Sequence, residues 1–93
     1  MANNRRKRQR PRPGRVLRSI RQQLSLTMRD VHAASLEIAR QQRNPAFVIS
    51  PTRLHHIETK NVLPSIYRVY TLATVYGRTR DQILDLYEVP MRE

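Results

Sequence analysis

Residues 50–77 read SPTRLHHIETKNVLPSIYRVYTLATVYG, and the fold is decided by how this stretch starts, stops and starts again. The Ser50 hydroxyl can accept from a free first-turn amide, and Pro51 suits the first helical position, where no amide hydrogen is needed. A helix is expected from there. Leu54 and Ile57, three apart, give it one narrow apolar stripe, while Thr52, Arg53, His55, His56 and Thr59 project polar groups elsewhere. One side packs and the other is free to read a partner. Asn61 can take the left-handed conformation that ends this helix, and Pro64 with Ser65 restarts the chain. Ile66, Val69, Leu72, Ala73 and Tyr76 then recur as the apolar face of a further helix, which Gly77 stops.

Working outward, Val16, Leu17, Ile20 and Leu24 recur at helical spacing, so the first helix is expected over Val16 to Gln23, with Arg15, Arg18 and Arg21 on its outer side. Ser25 and Leu26 break that pattern. Thr27 caps the second helix, with Asp30 three residues on as a relative of the capping box; Met28, Val31, Ala34 and Ile38 continue its inner face, and no glycine or proline intervenes before Asn44 and Pro45. NPAFVI reads as a loop carrying an apolar plug, Phe47 to Ile49, into Ser50. Thr79 and Gln82 form a capping box for a last helix bearing Ile83, Leu84, Leu86 and Tyr87. The expected class is all-α, with five short helices and no strand.

A chain of 93 residues makes one domain with little room for a deep catalytic cleft. Its formal charge of +11 suits a polyanionic partner such as nucleic acid. Nine of the 18 Lys and Arg lie between Arg5 and Arg21, where no acid occurs; from Gln22 onward nine bases face seven acids. The remainder from Gln22 is therefore nearly neutral, and the domain proper is expected over 15–89. Residues 1–14, MANNRRKRQRPRPG, are almost free of apolar side chains and are expected to be a disordered basic arm. Such a run serves as a solubilising or localisation-type tail, or as an arm whose Arg5, Arg6, Lys7, Arg8, Arg10 and Arg12 neutralise phosphates. The second use is the one expected here. With no cysteine, disulfides and sulfur-ligated metals are excluded, and no apolar run is long enough to span a membrane. A cytoplasmic, nucleoid-associated location is expected.

From about Leu17 to Leu86 the chain resembles the Cro and phage-repressor type of helix-turn-helix domain, the XRE family. The resemblance rests on LRSIRQQLSLTMRDV for the first two helices, ISPTRLHHIE for the recognition helix, Pro64 with SIYRVYTLATVYG for the fourth and TRDQIL for the fifth. It implies sequence-specific binding of double-stranded DNA by a transcriptional regulator of a bacterium or its phage, through a homodimer on a two-fold operator with half-sites about one helical turn apart. It also implies site residues. Ser50 resembles the recognition-helix cap, and Pro51, Thr52, Arg53 and His56 fall where family members meet base edges. Thr27 and Met28 match the start of the helix that crosses the backbone, and Lys60, Asn61 and Ser65 match the loop and helix start that grip the opposite strand. Glu58 is expected to brace the fold, since phosphates would repel it.

The chain also departs from the family pattern. His32 stands where a small residue is usual, Lys60 where glycine is frequent, and Glu37 to Ile49 is surplus between the second and recognition helices. The surplus is either an extended second helix with a loop returning at Ile49 and Ser50, or itself functional, as a dimer contact or an extra DNA contact through Arg40 and Arg43.

Other patterns are weaker. His55 and His56 point about 100° apart on a helix and gain no third ligand beyond Glu58, so no metal is expected. The tyrosines at 67, 70, 76 and 87 could stack bases, but their helical spacing favours packing. Without a Ser, His and Asp set, a carboxylate pair or a glycine-rich loop, neither an enzyme, nor a cofactor, nor a small-molecule effector is expected. Two other classes fit the composition: an RNA-binding or ribosome-associated basic protein, and an antitoxin-like module that grips a protein partner.

Overall fold

The computed structural model describes residues 11–88. They form α1 (Pro13–Gln23), α2 (Met28–Gln42), a 3-10 turn (Pro45–Phe47), α3 (Pro51–Lys60), α4 (Ile66–Tyr76) and α5 (Arg80–Asp85), with no strand among the described residues. The expected all-α class with five α-helices is the observed one. Arg5, Arg6, Lys7, Arg8 and Arg10, together with Val89, lie outside the described residues. No helix among the described residues is long and apolar enough to cross a membrane.

Each boundary has a local cause. Thr27 Oγ1 accepts from Asp30 N at 3.0 Å while Thr27 N donates to Asp30 Oδ2 at 2.8 Å, a complete capping box that opens α2. Thr79 and Gln82 repeat it at α5. Ser50 and Ser65 cap α3 and α4. Arg43, Asn61 and Gly77, at φ of 55°, 56° and 68°, end α2, α3 and α4 in the left-handed conformation that frees the chain to turn.

The start of α1 corrects the expected boundary. The helix begins at Pro13, not Val16, so Pro13 and Gly14 belong to the domain and not to the arm. Pro13 occupies the first turn, where a missing amide costs nothing. Gly14 is buried against α3: a Cβ built on it would lie 2.2 Å from the Glu58 carbonyl oxygen, and its amide donates to Asn61 Oδ1 at 3.0 Å. A residue that reads as flexible is there because two helices touch.

The core joins all five helices through side chains such as Leu17, Val31, Leu54, Leu72, Tyr76 and Ile83. Burying one such side chain contributes roughly 1.5–3 kcal/mol, which is what holds helices too short to persist alone. Three expected positions differ. Leu24, spaced with the apolar residues of α1, lies just past its last helical residue and is 45% exposed. Ile66 belongs to no core face; it is 75% exposed, because it stands in the first turn of α4 and projects beyond the packed part of that helix. Arg21, expected on the outer side of α1, is 9% exposed. Its Nε and Nη2 donate to Glu58 Oε2 and Oε1 at 2.7 and 3.0 Å, and its Nη1 donates to the Leu26 carbonyl at 3.0 Å. Glu58 thus braces α3 against α1.

Residues 37–49 take the form of the end of a long second helix and a returning loop. Asn44 Oδ1 accepts from Ala46 N at 2.9 Å, Thr71 Oγ1 donates to the Phe47 carbonyl at 2.7 Å, and Ile49 N donates to the buried Ser35 hydroxyl at 2.9 Å. Phe47 packs edge-on against Tyr67 and Tyr70, with ring centroids 5.2 and 5.4 Å away. Helices α2 and α4 therefore fix the loop that delivers the chain to Ser50. Arg40 is held by Glu37 at the surface.

Candidate nucleic-acid interface

Helix α3 has two unlike sides. Leu54, Ile57 and Glu58 are buried at 0%, 3% and 6% exposure, whereas Thr52, Arg53, His55, His56, Thr59 and Lys60 are exposed. Thr52, His56 and Lys60 are spaced at four residues and so follow one line along the helix, with Arg53 beside its start. Thr59 spends its hydroxyl proton inside the helix, donating to the His55 carbonyl at 2.8 Å. The rings of His55 and His56 are 6.2 Å apart and tilted. No group of three or more His, Cys, Asp or Glu able to hold a metal occurs among the described residues.

The residues flanking this face are placed by caps and turns. Ser50 Oγ accepts from Arg53 N at 3.1 Å, and Ser65 Oγ accepts from Arg68 N at 3.2 Å, so both hydroxyls are engaged in starting helices. Pro51 is half-buried. Thr27 is exposed but its side chain closes the capping box, and half-buried Met28 packs on the core. What these two can offer an anion is the free amides of the α2 start. Asn61 is half-buried, with its side-chain oxygen committed to Gly14 N; it braces α1 on α3 before it serves anything else.

Several cations near this face escape a reading by spacing. Arg68 sends Nε to the Val48 carbonyl at 2.8 Å, across the loop that enters α3. Burial lowers its pKa, and the like charge of Arg53 lowers it further. At the other end of α3, exposed Arg12, Arg15 and Arg18 line a shallow cleft of about 240 Å³ with Glu58, Thr59 and Asn61. Glu58 does not cancel their charge, because Arg21 already holds both of its oxygens. Arginines thus stand at both ends of the exposed face. Sequence spacing put Arg15 and Arg18 on the outer side of α1 but did not bring them to α3, and it passed over Arg68 altogether.

The tyrosines pack. Tyr76 is 1% exposed, Tyr67 and Tyr70 lie on Phe47, and Tyr87 OH donates to the Val62 carbonyl at 3.2 Å. With Ile66 and Leu84, the Phe47, Tyr67 and Tyr70 rings line an apolar groove of about 500 Å³ on the α4–α5 side.

Comparisons with protein-family models, with curated proteins and with solved structures return no match to this chain.

Proposed function

We infer that the protein binds double-stranded DNA in a sequence-specific manner and regulates transcription as a repressor-like helix-turn-helix domain, with α2 and α3 as the two helices of that motif. One observation carries the reading: α3 turns an unbroken polar face led by Arg53 to solvent while Leu54, Ile57 and the Glu58–Arg21 pair hold its other side rigid. The major groove of B-DNA is about 12 Å wide and admits one helix presented in this way.

In that pose Arg53 donates its planar fork to guanine O6 and N7, a contact worth roughly 1–3 kcal/mol of discrimination. Thr52 sets its methyl against thymine, His56 donates to a purine acceptor, and Pro51 gives apolar contact only. The α2 start at Thr27 and Met28 meets one backbone, and Lys60 with the α4 start at Ser65 meets the other. The arm and Arg12 add phosphate neutralisation. A two-fold dimer and residence on the nucleoid belong to the same reading.

Selection of bound fragments from random duplex pools tests it. An enriched motif, with a half-site symmetry that gives the stoichiometry, is expected. Enrichment of nothing, with structured RNA displacing every duplex equally well, rejects sequence-specific reading of DNA and favours RNA.

A further inference from the structure

Four helices of this domain open on a hydroxyl cap, and they are of two kinds. At α2 and α5 the residue three after the cap is Asp30 or Gln82, and its side chain accepts from the cap's own amide. At α3 and α4 the corresponding residue is an arginine, in the repeated pattern S-x-x-R: Ser50 to Arg53 and Ser65 to Arg68. A guanidinium accepts no hydrogen bond, and its charge stands at the positive end of the helix dipole. Helix stability gives no reason for either arginine.

Both arginines stand at the end of α3 that the Val48–Ser50 segment enters. The Val48 carbonyl holds Arg68 by Nε at 2.8 Å, which fixes the half-buried guanidinium beside the loop that delivers Ser50 and leaves its two Nη groups for another acceptor. Burial, and after it the like charge of Arg53, disfavours the Arg68 cation. Two cations placed at one end of a helix are stabilised by an anion. A planar fork with its Nη edge free suits a tetrahedral oxyanion with paired oxygens.

We propose that Arg68 is the fixed ligand of a backbone phosphodiester at the N-terminal end of α3, and that the bound phosphate screens Arg68 from Arg53 so that Arg53 extends toward the base edges. The assignment rests on α3 being the reading helix, and the experiment below separates the two. Arg68 is then a phosphate ligand and, through Arg53, a positioning residue for base recognition.

Duplex binding is measured by fluorescence anisotropy across a salt series, on a selected sequence and on a random one, for the full chain and for Arg68→Gln, Arg68→Lys and Arg53→Ala. Arg68→Gln should flatten the slope of log K against log salt by about 0.9, the value of one phosphate contact. Arg68→Lys should keep most of the slope. Arg68→Gln should also shrink the preference that Arg53→Ala abolishes. An unchanged slope in Arg68→Gln overturns the proposal while leaving DNA binding in place. A second measurement needs neither DNA nor a variant: inorganic phosphate is titrated into the isotope-labelled chain and the arginine Nε–H signals are followed by NMR. Concerted shifts of Arg53 and Arg68, in preference to Arg29 and Arg80, support the anion site even if no duplex is bound, in which case the DNA reading alone fails. Phosphate that leaves both signals in place overturns the site, and this titration decides should Arg68→Gln not fold.

Discussion

Replacing Glu58 by alanine tests the joint that holds the exposed face of α3 in place. The carboxylate is 1% exposed and receives two of the three hydrogen bonds that the Arg21 guanidinium donates; the third goes to the Leu26 carbonyl. That bidentate pairing raises the pKa of Arg21 against the opposing effect of burial; with the partner removed, the high intrinsic pKa of a guanidinium keeps the group charged. Glu58→Ala therefore leaves a charged group, 9% exposed, with one acceptor out of three. Breaking a buried pair from one side costs about 3–5 kcal/mol, a large share of the roughly 5–15 kcal/mol that stabilises a domain of this kind. At about 4 °C or more per kcal/mol for a small domain, the midpoint should fall by at least about 12 °C in thermal unfolding followed by circular dichroism at 222 nm. Arg21→Ala should cost as much, for it strands the carboxylate. Replacing both residues by methionine should restore most of the loss, since apolar groups of similar volume often match or exceed a buried pair. A Glu58→Ala cost below about 1 kcal/mol, the level of an exposed ion pair, would refute the claim that this pair locks α3 to α1.

Four further outcomes are expected. Gly14→Ala brings a Cβ to 2.2 Å from the Glu58 carbonyl oxygen and 2.7 Å from that of Ile57, so it should destabilise by about 1–3 kcal/mol or more in urea titration, where an ordinary helical glycine would gain. Burial raises the Tyr87 pKa from its ordinary 10.0 to about 12, which favours the protonated form in the folded state; the corresponding stability is full below pH 10 and is lost as pH rises through 12. Tyr87→Phe should remove its share of that alkaline loss, read as a flatter dependence of unfolding free energy on pH above 10. Arg53→Ala should erase sequence preference while sparing most non-specific binding in competition gel shifts, and an unchanged preference would take Arg53 off the reading face. Deleting residues 1–10, which carry five cations, should weaken binding to all duplexes alike and flatten its salt slope; an unaltered slope would mean that the arm leaves phosphates untouched.

The local punctuation of the fold was open to reading from the chain. Caps at Thr27, Ser50, Ser65 and Thr79, and stops at Asn61 and Gly77, are short-range events in which a side chain or a left-handed residue acts on its own turn. The extension of α2 to Gln42 was equally accessible, since nothing before Asn44 breaks a helix. Gly14, Arg21 and Ile66 were misplaced for the opposite reason. Gly14 is set by contact with a carbonyl from residue 58, and Arg21 by a carboxylate 37 residues away, which periodicity on one helix cannot register. Ile66 has helical spacing but stands in a first turn that overhangs the packed body, so its period is right and its burial wrong.

The candidate site divides along the same line. The exposed face of α3 was legible because Leu54 and Ile57 fix which side turns inward, and every other side follows from 3.6 residues per turn. Arg68 was passed over because its role depends on the Val48 carbonyl 20 residues earlier, brought near only by the loop through Phe47. Yet the chain does carry a trace of it. Thr27 and Thr79 have an acid or amide three residues on, as a helix start requires, whereas Ser50 and Ser65 have arginine there. A cap whose third residue opposes its own helix dipole marks a charge retained for something outside the helix. Helices α3 and α4 share this anomaly, and a single polyanion lying along both helix starts would account for the pair where helix stability accounts for neither.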